Sequence, residues 1–447
     1  MYNEEERGVM TVSDRNMLRR LGGLRGWRLY AALTVALTAV FCGLLWAAGL
    51  GGGWAQRHIN EHALSSVKQF KEEGVYPQPF HDNDRSSQLD NWTDSLILQA
   101  SVTMNTGDDP LTIFSNPYLI REYGDETHHD LILSLEETAQ TGETNRSYSY
   151  YWQGFRVFVR PLLIIMDYQD IRGLVAIVFM ALFAAALLAL YRHAGLCLAA
   201  PFAVAVAAMN APVAMSQLQY VPCFFLAFAA LCLTPRALRA GVIAPFFFVL
   251  GACTQYVDFY TYPLLTLGFP LVFMLALLRD EGAGRRAALM GRCVLAWLSA
   301  YGLFWLIRLL LAALFMDPKW FSLAFDRFST WTGLSGEAQY AEFTPGRAVQ
   351  LVMDMTMSKR NLLLFCMVLA LYACRFAVCA LRRQLRRPPL LMLVPAVLPF
   401  VWVAAASRAT GNHYWFQYRA MAVTVFAVGA FLAQITGSPA PMGGEKE

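Results

Sequence analysis

Charge is scarce in this chain: Asp, Glu, Lys and Arg make up only 15% of its 447 residues, against 57% hydrophobic. That balance does not supply a water-facing surface, so it excludes a soluble globular protein and indicates a polytopic membrane protein. Common catalytic signatures are missing as well: no GxSxG, P-loop, Rossmann glycine pattern or HExxH occurs. There is no CxxC, and the nine cysteines lie in or beside apolar stretches. That pattern excludes a disulfide framework or zinc site and leaves the thiols as small buried hydrophobes. Internal repeats are absent. Basic residues are scattered over short loops instead of forming one face, which excludes nucleic acid as a partner.

Ten apolar runs fill most of the chain, at 29–50, 171–191, 195–214, 219–233, 241–257, 261–278, 291–315, 361–381, 389–406 and 418–436. A crossing helix needs roughly 20 residues for a ~30 Å hydrocarbon core. The first run follows Arg15, Arg19, Arg20, Arg25 and Arg28, and the even-numbered connections carry Arg192, Arg236, Arg239, Arg285, Arg286, Arg382, Arg383, Arg386 and Arg387. By the positive-inside rule those sides are cytoplasmic. The expectation is an all-α polytopic membrane protein of the plasma membrane with about ten spans. Its parts are a cytoplasmic N-terminus (1–28), a retained first helix (29–50), a large extracytoplasmic loop (51–155), a bundle (156–436) and a cytoplasmic tail (437–447).

The first outer loop is the one strongly charged region. From Trp54 to Tyr151 it carries sixteen Asp/Glu against six Lys/Arg, a net of −10. Trp54, Ile59, Ala63, Val67 and Phe70 recur at helical spacing, as in a helix lying on the membrane interface. A second helix is expected from about Asp90 to Val102 and a third over Thr127–Ala139. With so few long apolar runs, the loop is expected to lean on the bilayer without a core of its own. Tyr148 to Met166 reads as an interfacial or re-entrant entry to the second span, with Arg156 and Arg160 on one face.

The loop contains Asp90-Asn91-Trp92-Thr93-Asp94, two carboxylates four residues apart and so on one helical face. Each has a local explanation, Asp90 as an N-cap and Asp94 as a first-turn acid favoured by the macrodipole. As a pair next to Trp92 they are also candidates for general-base chemistry on an acceptor hydroxyl. Several cations fall on the outer side, against the positive-inside rule: Arg156, Arg160, Arg172, Arg308, Lys359, Arg360, Arg408 and Arg419. Cations there are costly unless paired or facing a cavity. A set of guanidiniums suits a phosphate leaving group, which it grips bidentately; individual members also snorkel to lipid phosphates or pair with the acidic loop. Asp258, in a tight outer turn, reads first as an Asx-type turn residue. His413 reads first as packing within an aromatic belt. His58 and His62 have no third ligand, and His128-His129-Asp130 reads as solvated loop.

In topology the chain resembles the GT-C superfamily of integral-membrane glycosyltransferases, with short motif support from Asp90-Asn91-Trp92-Thr93-Asp94, Tyr151-Trp152-Gln153-Gly154-Phe155 and Arg160-Pro161-Leu162-Leu163. The latter two segments are also similar to multi-span bacterial membrane proteins. The resemblance implies transfer of a sugar from a polyprenyl-phosphate donor to a cell-envelope glycan or lipid acceptor at the outer face. It maps the acidic site onto Asp94 or Asp90, with a lean to Asp94, and a lipid-phosphate ligand onto Arg160, Arg172, Arg408 or Arg419. The chain departs from the family in lacking an Asp-Glu or Asp-x-Asp at the usual place. No metal motif is present, so no cofactor is specified and a divalent cation is left open. The partners implied are membrane lipids, donor and acceptor. A transporter or flippase of a lipid-linked or anionic solute is the alternative, and a scaffold subunit without chemistry is a third. The four mapped arginines are expected to converge on one groove. A cysteine at Ser86 is expected to react with an impermeant reagent in intact cells, since 54–151 should lie outside; protection until lysis would invert the topology.

Overall fold

The computed structural model describes residues 26–79, 84–121, 130–335 and 340–436. Four of the five N-terminal arginines, His128, His129 and the C-terminal tail lie outside the described residues.

Helix α1 (Gly26–Gly49) is apolar beyond Arg28 in its first turn, and α2 (Gly53–Glu73) follows after a short glycine break. On α2 the stripe Ile59, Ala63, Val67 and Phe70 is buried while Trp54 is exposed, so the apolar face is narrower than its sequence pattern. Asp90 N-caps α3 (Asn91–Val102), its Oδ1 accepting from Thr93 N at 2.9 Å. Asp130 likewise caps α4 (Leu131–Thr141), which begins later than the sequence pattern placed it and ends at Gly142 with φ 74°. An element absent from the all-α reading is a two-residue antiparallel pair, β1 (Pro117–Tyr118) with β2 (Arg146–Ser147).

The loop has a hydrophobic cluster of its own, contrary to expectation. Ile59, Val67 and Phe70 of α2 meet Ile97 and Leu98 of α3 and Leu135 of α4. α2 and α4 each offer one apolar stripe, and the two close on α3, which is buried on nearly every side. The cluster continues into Phe155, Val159, Tyr168 and Ile171, so it also fixes the loop to the bundle. The return to the bundle passes through Gln153, at φ 53°, and Gly154, whose N–H donates to the Tyr256 carbonyl at 2.8 Å. A Cβ at Gly154 would lie 2.5 Å from the Tyr256 ring, so only glycine permits this approach. The short α5 (Arg156–Leu162) follows.

The bundle comprises α6 (Tyr168–Ala194), α7 (Leu196–Ala208), α8 (Val221–Arg239), α9 (Ile243–Val257), α10 (Leu264–Leu277), α11 (Ala283–Phe315), α12 (Lys319–Thr332), α13 (Pro345–Thr356), α14 (Lys359–Leu381), α15 (Val394–Ala405) and α16 (Ala422–Ile435). Among the described residues six helical segments are long and apolar enough to cross a membrane: α1, α6, α8, α11, α14 and Tyr414–Ile435. Four shorter apolar helices, α7, α9, α10 and Leu390–Ala405, coincide with the remaining expected runs. Between the seventh and eighth apolar runs lie two amphipathic helices, α12 and α13.

Ser86 is buried, which makes it unsuitable as a labelling position. Gln140, exposed on α4, serves instead. With the loop outside, Gln140→Cys should react with an impermeant maleimide in intact cells; reaction only after lysis would place the loop in the cytoplasm.

Candidate functional site

The two loop carboxylates are both buried, but they are held differently. Asp94 is fully enclosed, and its three donors come from two separate stretches of chain. Oδ2 accepts from the Tyr168 hydroxyl and from Leu218 N at 2.9 Å, while Oδ1 accepts from Gln219 N at 3.1 Å. Arg172 extends this network, donating to the Tyr168 hydroxyl at 3.0 Å, lying over that ring at 4.5 Å, and pairing with Glu73 at 2.8 Å. Burial tends to raise the Glu73 carboxyl, but the hydrogen bonds from Arg172 and Gln69 outweigh it and leave its pKa lowered. For Asp94 burial dominates over its donors and pushes the pKa up to about 6.

Asp90 is held locally. Its Oδ1 and Oδ2 accept from the backbone N–H and the hydroxyl of Thr93, at 2.9 and 3.0 Å. A carboxylate has about four lone-pair sites, so each oxygen retains one. Gln217 bridges the pair, accepting from Asp90 N at 3.1 Å and donating to Asn91 Oδ1 at 3.1 Å. Burial raises the Asp90 pKa to about 7, Thr93 partly offsets the effect, and the neighbouring Asp94 charge adds to it. Asp90 in turn acts on the phenols of Tyr76 and Tyr220.

Arg419 lies nearby in the chain's packing, its guanidinium 4.6 Å over the Tyr220 ring and 5.1 Å from the Tyr418 ring. Arg419 donates to the carbonyls of Met209 and Ser86 at 3.1 and 3.3 Å, and Asn210 also donates to the Ser86 carbonyl. Its Nη1 is buried without a partner. The Tyr220 and Tyr418 hydroxyls lie beside Trp415 Nε1 and Ser86 Oγ, but neither pair meets hydrogen-bond geometry. Tyr220, Tyr418 and Arg419 therefore form a buried polar group with donor capacity to spare, tied to the Ser86 carbonyl four residues before Asp90.

The expected convergence of Arg160, Arg172, Arg408 and Arg419 is corrected: each holds a different part of the chain. Arg160 donates to the Ser101 and Val102 carbonyls at the end of α3 and to Gln56, where a cation complements the helix dipole. Arg172 belongs to the Asp94 network. Arg408 donates to Ser335 Oγ at 3.4 Å. Arg156 and Arg308 clamp main-chain carbonyls of the loop and share none of them with Arg419. Asp258 accepts from Thr261 N at 3.1 Å in the expected Asx-type geometry, and its Oδ2 has no partner. His413 packs among Trp331, Trp415 and Phe416, as an aromatic-belt residue would. His62 Nδ1 meets the Leu163 carbonyl at 2.8 Å, and among the described residues no group of three acids, His or Cys is placed to hold a metal. The sequence reading missed Tyr168, Gln217 and Tyr220. Their only signal was a polar residue or phenol at the outer end of a span.

Fold and site define a class: a helical polytopic membrane protein whose folded polar cap is keyed into its bundle by buried carboxylates. No family model matches the chain, and no curated protein or solved structure matches it.

Asp94→Ala strands Leu218 N, Gln219 N and the Tyr168 hydroxyl, at about 1–3 kcal/mol for each buried group left unpaired. The purified protein should melt well below wild type. Asp90→Asn, which preserves the cap, should cost only a few tenths of a kcal/mol; equal melting of all three proteins would remove Asp94 from its keying role.

Proposed function

We propose that the chain is an integral-membrane glycosyltransferase of the GT-C kind, moving a sugar from a polyprenyl-phosphate donor to a cell-envelope hydroxyl at the outer face of the plasma membrane. In this reading the ten apolar segments cross the bilayer and both termini are cytoplasmic. The observation that carries it is a buried carboxylate with spare lone pairs, Asp90, four residues after the Ser86 carbonyl that a buried guanidinium with a spare N–H, Arg419, holds.

The chemistry follows from the two groups. The acceptor oxygen attacks the anomeric carbon while its proton passes to an Asp90 oxygen. The bond from that carbon to the donor phosphate breaks, and the polyprenyl phosphate leaves with its new charge held by Arg419. Direct displacement inverts the anomeric configuration. The base is assigned to Asp90 and not to Asp94, reversing the sequence lean, because Asp94 is committed to three donors while the hydrogen bonds to Asp90 come from Thr93 alone. Asp94 positions the helix that carries Asp90. Arg172 acts through Tyr168 on that same positioning network.

The test uses the full chain in nanodiscs with polyprenyl-phosphate hexose or pentose donors, following release of polyprenyl phosphate. General-base catalysis contributes about 10²–10⁴-fold, so Asp90→Asn should lose that much turnover and keep its fold. The base must be ionised, so turnover should rise with pH through about 7, and Asp90→Asn should flatten the ascent. Arg419→Gln should weaken donor use. Full activity in Asp90→Asn would sink the assignment. A wild-type protein that moves intact donor across the bilayer without cleaving it would establish the transporter instead.

A further inference from the structure

Arg156 and Arg308 form a second cationic pair that the proposed reaction does not use. Both side chains are fully buried. They reach the same two turns of the loop. Arg156, at the start of α5, donates to the carbonyls of Gln153 and Ile113 at 3.3 and 3.1 Å. Arg308, within α11, donates to those of Tyr151 and Phe114 at 2.8 and 2.6 Å. Ile113 and Phe114 are consecutive, and Gln153 lies two residues beyond Tyr151, so the guanidiniums are brought within reach of each other's field.

Every hydrogen bond they make is to a neutral carbonyl. Each keeps Nη1 buried and without a partner, and among the described residues no carboxylate pairs with either. Asn116 Oδ1 and Gln153 Oε1, in the same turns, are also unpartnered, but they are neutral acceptors and leave the charge uncompensated. Two like charges out of water with no counter-ion are strongly disfavoured, because burial raises the cost of each and their repulsion is poorly screened. Arginine does not escape by deprotonating. A compensating negative charge is therefore required from outside the chain.

We propose that the protein holds a small monovalent anion of the chloride class between the Arg156 and Arg308 guanidiniums. The remaining donors, one Nη1 from each side, suit a compact anion receiving two charge-assisted hydrogen bonds. Complete burial of both side chains disfavours a lipid headgroup, whose acyl chains would need a path out. Bound there, the anion fixes the 112–115 and 151–153 turns to α11, and with them the loop that carries Asp90.

The test is independent of any transferase activity. The full chain in nanodiscs is melted across a sodium chloride series against sodium gluconate at matched ionic strength, gluconate being too bulky for the site. Wild type should gain several degrees with a saturating dependence on chloride. Arg156→Gln and Arg308→Gln should lose that gain, while Arg419→Gln should retain it. Indifference of wild type to chloride overturns the proposal. So does a gain shared equally by the Arg156 and Arg308 variants, which marks a bulk salt effect. Should Arg308→Gln fail to fold, crystals grown in bromide decide: an anomalous peak between the two guanidiniums is expected, and its absence refutes the site.

Discussion

The structure depends on how Asp94 is satisfied. A carboxylate removed from water must recover its lost hydration through fixed donors, and Asp94 takes them from the segment before α8 and from the start of α6. Those donors belong to the bundle, whereas Asp94 belongs to the loop. Forming one interaction therefore sets the loop's register against two bundle elements at once. Tyr168 then passes the constraint to Arg172, and Arg172 passes it to Glu73 at the end of α2. The hydrophobic cluster beneath supplies non-directional adhesion, and this network makes the docking specific.

The arginines obey the same constraint by another route. At the sequence level an outer-leaflet arginine had two readings, a phosphate ligand or a side chain snorkelling to lipid or pairing with an acid. Three of them do neither. Arg156, Arg160 and Arg308 donate into main-chain carbonyls at the ends of short helical stretches and turns. Irregular backbone at the edge of a membrane leaves carbonyls that water does not reach, and a guanidinium with five donors in a rigid fork closes several of them. That pairing was invisible in the sequence because the acceptors carry no side-chain identity. Any residue at 113, 114, 151 or 153 would supply the same oxygen.

What was legible followed from periodicity and local chemistry. The ten apolar runs, the stripe on α2, the cap at Asp90 and the Asx turn at Asp258 all depend on residues within a few positions of one another. What was not legible needed partners far along the chain. The loop's own core requires the stripes of α2 and α4 to close on α3, though none of them alone looks like a core. Asp94 looked like an ordinary first-turn acid because its donors are more than seventy residues away. Arg419 and the Ser86 carbonyl it holds lie at opposite ends of the sequence, so no spacing rule relates them.

The four-residue spacing of Asp90 and Asp94 acquires a meaning that neither residue has alone. One helical turn apart in a buried setting, the two carboxylates repel, and the Asp94 charge adds to the burial that raises Asp90 to about 7. The protons leave the pair in sequence. Asp94 is the easier to ionise, because its donors come from a fixed framework and include two backbone N–H groups. Asp90 has only Thr93, and it loses its proton against a charge already present. A carboxylate whose pKa burial has lifted to about 7 is a better proton acceptor than an ordinary surface acid. The carboxylate that docks the loop thus adds its charge to the burial that already raises the residue one turn away.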